Sequence, residues 1–156
     1  MHNHQPENYR CPLCYVVEGK EEENFPYTRQ ADIIYKDESI TAFIASHWWP
    51  RNKGHVLIVP NQHVENLYDI SENLLNSIHS FSKKVALALK ETYACDGISV
   101  RQHNEPAGDQ DVWHYHLHVF PRYENDFLYV SNEEKALSIP EDRLPFAEKL
   151  RNYFAK

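Results

Sequence analysis

The chain is short of cysteine, of basic charge and of long apolar runs, and each shortage excludes something. With three cysteines in 156 residues, the fold must rest on its core rather than on a disulfide framework. A chain of this length buries about two thirds of its unfolded surface, enough for one domain to stand alone. No apolar stretch approaches the roughly 18 residues of a membrane-spanning helix, and the mean hydropathy is −0.67. Membrane insertion is therefore not expected. Sixteen Lys and Arg against 23 Asp and Glu leave a formal charge of −7, the wrong sign for a protein that tracks nucleic acid. The opening residues, Met1 to Pro6, lack a basic segment followed by an apolar one, so a cytoplasmic location is expected. No internal repeat or low-complexity tract appears.

What the chain does hold is histidine: ten of them, a large supply of weakly basic rings from which a local anion-binding pocket can be built. Three fall in Val112-Trp113-His114-Tyr115-His116-Leu117-His118-Val119-Phe120-Pro121-Arg122. Read as one strand, this stretch has two faces, because side chains alternate with period two. His114, His116 and His118 point one way, and Trp113, Tyr115, Leu117 and Val119 the other. The outer rings would lie about 13 Å apart along the backbone, with adjacent rings able to address one phosphate-sized group. By spacing alone, three imidazoles on one metal ion fit as well as a catalytic triad.

The rest of the chain reads as α+β. Asp32–Tyr35 and Ile40–Ala45 form a hairpin across Lys36–Ser39, and Gly54–Pro60 makes a third strand. Trp48 and Trp49 lie in the connection, as core or as a ring-stacking surface. Ser71 caps a long helix that places Leu74, Ile78, Phe81, Val85 and Ala88 on one face and His79 outside. Gly97 then suits the position just past the helix end, before a fourth strand over Ile98–Gln102. Leu144, Ala147, Leu150 and Phe154 define a C-terminal helix with Pro145 in its first turn. Residues 18–24 read as a solvated loop, whereas residues 125–137 show mixed periodicity. The expected fold is one domain with an antiparallel sheet of about five strands, one long helix and a C-terminal helix. Near the N-terminus, Cys11-Pro12-Leu13-Cys14 has the spacing of half a zinc site; a redox dithiol and two unrelated thiols are the alternatives.

His114 to Arg122 resembles the signature of the histidine triad (HIT) family. Three further segments occur in that family's order: Ile34–Asp37 with Phe43, Lys53–His63, and Ala107–Gln110. The resemblance covers roughly residues 11–125. It implies an HIT-like domain, divided into a zinc-binding arm (1–29), a core (30–125) and a C-terminal extension (126–156). It also implies a homodimer that hydrolyses or transfers a nucleoside monophosphate group through a nucleotidyl-histidine intermediate. The loop from Gln102 to Gln110 is similar to that of dinucleoside polyphosphate hydrolases. The alternatives are nucleoside phosphoramidate hydrolysis and a non-catalytic nucleotide sensor. Carried over by position, His116 is the nucleophile, His118 a phosphate contact and His55 a supporting histidine. Gln102 matches a phosphate-binding glutamine, with His103 and Asn104 as rivals. His47, Leu57, Gln110 and Asp111 fall at the other substrate-facing positions. His47 stands where an acidic or amide side chain usually meets ribose, and Asp111 where a hydroxyl usually meets phosphate. Cys11, Cys14, His63 and His114 match a zinc set of the family, and magnesium is a candidate companion of the substrate.

Neutral imidazole suits this chemistry. With an unperturbed pKa near 6.5, its ring nitrogen can attack phosphorus without first losing a proton, so it needs orientation more than activation.

Overall fold

The computed structural model describes residues 2–21 and 27–156. Part of the loop expected over residues 18–24 thus lies outside the described residues. Seven strands and three α-helices are present among them: α1 (Pro12–Val17), β1 (Ile33–Lys36), β2 (Ile40–Ile44), β3 (His47–Trp48), β4 (Val56–Pro60), α2 (Glu72–Tyr93), β5 (Gly97–Gln102), β6 (Leu117–Arg122), β7 (Ala136–Leu137) and α3 (Pro140–Phe154). Five strands form an antiparallel sheet in the order β1-β2-β4-β6-β5, and β3 pairs with β7 in a separate ribbon. The architecture is α+β, as the alternation of short strands with one long amphipathic helix indicates.

The period of two sorts the sheet into faces. Ile40, Ala42, Ile44, Val56, Ile58, Leu117 and Val119 face α2 and α3, where they meet Ile78, Phe81, Val85, Ala88, Leu89, Ala147 and Leu150 in one core. Phe43 and Val59 turn to the opposite face and pack against Leu13, Val16 and Val17 of α1. With both faces covered, all five residues of β2 are buried; four are apolar, and the fifth, Thr41, donates its hydroxyl to Asn61 Oδ1. The opposite face of β6 carries His118 and Phe120, and this is the side of the sheet on which the functional residues gather.

Both helix ends depart from the sequence expectation. Ser71 does cap α2, but its C-cap is Ala94 in the left-handed region (φ 52°), while Gly97 already belongs to β5. Lys90 donates to the carbonyls of Cys95 and Asp96, which fixes the turn that Ala94 makes. Helix α3 begins at Pro140, so Pro145 lies in the second turn rather than the first. Glu141, whose carbonyl the proline N cannot bond, is an exposed residue. Glycine is required at Gly54: φ is +72°, and a Cβ there would stand 2.3 Å from the Phe146 ring.

The tail is tied back by a buried ion pair. Arg143 of α3 is fully buried and donates to Asp32 at 2.9 Å, to the Ser138 carbonyl and to the Tyr27 carbonyl. Replacing either charged partner alone would strand the other in the core, which typically costs about 3–5 kcal/mol. Residues 125–137, mixed in periodicity, resolve into a 3-10 turn at Asn132–Glu134 followed by β7.

Candidate functional site

The histidine stretch is not one strand. Regular pairing begins only at Leu117; before it, the His114 N–H donates to the Val112 carbonyl and the Tyr115 N–H to the Val64 carbonyl. The chain therefore turns at His114. Tyr115, Leu117 and Val119 enter the main core as expected, but Trp113 stays half-buried outside it. His114 leaves the histidine face and points, fully buried, toward the N-terminal arm. The three histidines thus divide into one that faces Cys11 and Cys14 and two that face a cavity.

His114 completes a four-residue cluster. The ligand atoms of Cys11, Cys14, His63 and His114 all lie within 4.8 Å of one another. Nδ1 of His114 is 3.4 Å from both sulfurs, and Nδ1 of His63 is 3.1 Å from Cys14 Sγ. Tetrahedral zinc with bonds of about 2.3 Å to sulfur and about 2.0 Å to nitrogen places S and N roughly 3.5 Å apart, so the donor set fits that ion. The outer nitrogens are engaged as a metal-binding histidine requires: Nε2 of His114 donates to the Pro60 carbonyl at 3.0 Å and Nε2 of His63 to Gln5 Oε1 at 2.8 Å. The thiols shift in opposite directions. Their mutual hydrogen bond, with further help from His114, lowers Cys11 to about 4 and raises Cys14. The six-residue α1 is capped by the Cys11 sulfur itself.

His116 is 4% exposed, and its Nδ1–H donates to the His114 carbonyl at 2.7 Å. That bond fixes the tautomer and leaves the Nε2 lone pair free. The ring centroids of His116 and His118 are 5.0 Å apart, and His118 Nδ1 lies 3.4 Å from His55 Nε2. Residues opposite one another on paired strands share a face. Leu57 and Arg101 both lie opposite His118 and so join it on the site side, whereas Gln102 lies opposite Leu117 on the helix side.

Burial holds all three rings neutral. Loss of solvation lowers His116 and His118, the latter well below the ordinary histidine value, and brings His55 to about 3. His55 packs against both Phe120 and His118, with ring centroids 4.2 and 5.5 Å away. Between about pH 6.5 and 3 an unfolded chain protonates this residue and the folded one does not, so its stabilising contribution is complete above pH 6.5 and lost as the pH falls. We expect this group alone to remove about 2 kcal/mol by pH 5. Urea unfolding of wild type and His55→Phe at pH 7 and pH 5 reads the term as the difference in pH sensitivity. Equal sensitivity of the two proteins would contradict it.

Two cavities flank His118. The first, about 500 Å³, is lined by His47, Trp49, His55, Leu57, His116 and His118 on the sheet side and by Tyr9, Leu13 and Val16 from the arm. The second, about 480 Å³, is more polar and is lined by Arg101, His103, Asp109, Gln110, Tyr129, Asn132 and Lys135. Trp49, Asp111, His118 and Lys135 border both. The expected site residues thus converge with two qualifications. Gln102 borders neither cavity, its amide being paired with Asn104 and the His103 carbonyl; of the three rival positions, only His103 reaches one. Gln110 is 4% exposed and braces its own loop, accepting from the Glu105 N–H and donating to the carbonyls of Glu65 and Val112. The Asp111 carboxylate is not unpaired: it lies 3.5 Å from Lys135 Nζ. His47 borders the first cavity from β3, lowered by burial. Trp48 belongs to the main core and Trp49 to a small cluster with Phe120 and Leu128. Arg101, Lys135 and the arm residues went unrecognised in the sequence.

The HIT domain profile matches residues 28–125, and the chain belongs to the HIT family. An uncharacterized HIT-like protein of Methanocaldococcus jannaschii is 34% identical over 116 residues, covering 74% of this chain and 81% of that protein. The crystal structure of a Zn-bound histidine triad family protein from Mycobacterium smegmatis superposes with a TM-score of 0.73 at 27% identity, covering 93% of both chains. Diadenosine triphosphate hydrolase of Plasmodium falciparum shares the fold at a TM-score of 0.70 and 15% identity, over 91% of this chain and 95% of that one. The zinc of the mycobacterial relative and the Cys₂His₂ cluster of this chain together suggest zinc as the metal. Among the described residues, no helix is long and apolar enough to cross a membrane.

Proposed function

We propose that the protein cleaves a nucleoside phosphoanhydride, with a dinucleoside polyphosphate as its substrate class, through a nucleotidyl-His116 intermediate. One observation carries this reading: a neutral His116 whose Nδ1–H is held by the His114 carbonyl at 2.7 Å, so that Nε2 is the nucleophilic atom at the edge of a nucleoside-sized cavity. Leu57 and Trp49 offer the base and sugar an apolar wall, closed on the far side by Leu13 and Val16 of α1.

The reaction has two displacements. Nε2 of His116 attacks the phosphorus, and the bond to the bridging oxygen breaks, with the electron pair leaving on the departing phosphate. The positive charge that develops on the ring is stabilised by the His114 carbonyl, which already accepts its Nδ1–H. Water then attacks the same phosphorus, the P–N bond breaks, and His116 is restored as the water proton passes to solvent. His118 borders both cavities and serves as a phosphate contact, with His55 holding its ring. In this reading residues 1–29 are the zinc-binding arm and 126–156 the extension that closes the site. Cys11, Cys14, His63 and His114 would hold zinc, which with four protein ligands would supply a structural clamp and take no part in activating water.

Incubation with a dinucleoside polyphosphate should release a nucleoside monophosphate. A sensor would bind the same compound and release nothing, and a phosphoramidate hydrolase would act only on the P–N substrate.

A further inference from the structure

Lys135 lies outside the segment matched by the HIT profile, yet it borders both cavities beside His118. The fold places it there: β7 pairs with β3 through His47↔Leu137 and Trp48↔Ala136, which brings the residue before β7 over Trp49. The ammonium lies 5.6 Å from that ring and 3.5 Å from the Asp111 carboxylate. Their side chains are 32% and 66% exposed, so the ion pair is screened by water and worth little. It is readily exchanged.

The second cation is Arg101. Its guanidinium lies 4.6 Å from the Phe120 ring centroid, 5.3 Å from Trp49 and 5.5 Å from Tyr129. Its buried Nε has no hydrogen-bond partner among the described residues. His103, with its ring 5.9 Å from His118, borders the same cavity. Two carboxylates also border it. Asp111 is engaged by Lys135, and Asp109 sits exposed on the outer loop. Arg101 lies opposite His118 on the paired strand and Lys135 borders both cavities together with it, so both cations flank the route a phosphate chain would take from one cavity to the next.

We propose that the second cavity is the leaving-group subsite and that Lys135 and Arg101 are its phosphate-binding residues, Lys135 giving up Asp111 for a substrate phosphate. This rests on the nucleotidyl-transfer reading and narrows it, because a subsite built on two cations selects a polyphosphate leaving group over a neutral amine. Binding tests it without requiring turnover. The probes are a nucleoside monophosphate and the matching dinucleoside triphosphate with methylene bridges, titrated calorimetrically in both the adenosine and guanosine series.

Wild type should bind the longer ligand at least about tenfold more tightly than the monophosphate. Lys135→Met should lose most of that increment while binding the monophosphate within about twofold of wild type. Lys135→Arg should keep the increment, and Arg101→Met should reduce it. The proposal is overturned if wild type shows no increment, or if Lys135→Met weakens both ligands alike or neither. Turnover of the oxygen-bridged compound is read separately: an intact increment with no product would sink the enzymatic reading and leave the subsite standing.

Discussion

His116→Asn is expected to abolish turnover while leaving the fold and nucleotide binding intact. The amide keeps a donor that can reach the His114 carbonyl but presents no basic nitrogen to phosphorus. The covalent route is then closed rather than slowed. A loss on the order of 10⁴-fold or more is the scale set by removing a nucleophile. The substitution is small, polar and confined to the cavity wall, so the thermal midpoint should move by no more than a few degrees. Steady-state assays on a dinucleoside polyphosphate, with calorimetric binding beside them, check both halves. Residual activity near the wild-type level would eliminate His116 as the attacking group, and loss of binding together with activity would make the defect structural.

Loss of the metal should have the second largest effect, and of a different kind. His114 joins the cluster and the proposed nucleophile within one residue: its Nδ1 faces the two sulfurs, and its backbone carbonyl accepts from His116 Nδ1. The same cluster anchors α1, whose Leu13 and Val16 wall the first cavity. Removing the metal should loosen both the ring orientation and the cavity wall. We expect about one zinc per chain by elemental analysis. Cys14→Ser should lose it, lower the melting temperature by on the order of 10 °C, raise KM and reduce kcat without abolishing it. If purified protein holds no zinc, or if a Cys11→Ser/Cys14→Ser double variant matches wild type in stability and activity, the four-ligand assignment is wrong.

Much of this is legible in the sequence. Helix α2 announces itself by a 3.6-residue period and a serine cap, and β2, β4 and β5 by short β-branched runs. The spacing of Cys11 and Cys14 points to half a metal site, and the resemblance to the histidine triad family names His63 and His114 beside them, as well as His55, His116 and His118. What stayed hidden has physical causes. Alternation of histidine with apolar residues signals an extended chain but cannot tell a paired strand from a segment bonded to a loop, and so the turn at His114, where Tyr115 bonds to Val64, was missed. Helix α1 and strands β3 and β7, with six, two and two residues, are too short to show a period. Ala94 adopts a left-handed conformation that glycine usually marks, because Lys90 secures the turn from outside. Lys135 reaches the site through tertiary pairing, which no local pattern records.

The account's central claim is a covalent nucleotidyl-histidine, and the stereochemistry at phosphorus tests it most directly. Each in-line displacement inverts the phosphorus centre. A substrate made chiral at the attacked phosphorus by sulfur substitution, and hydrolysed in isotopically labelled water, should give a nucleoside phosphorothioate with net retention, the sum of two inversions. Net inversion would mean that water attacks directly, and no histidine intermediate could then lie on the path.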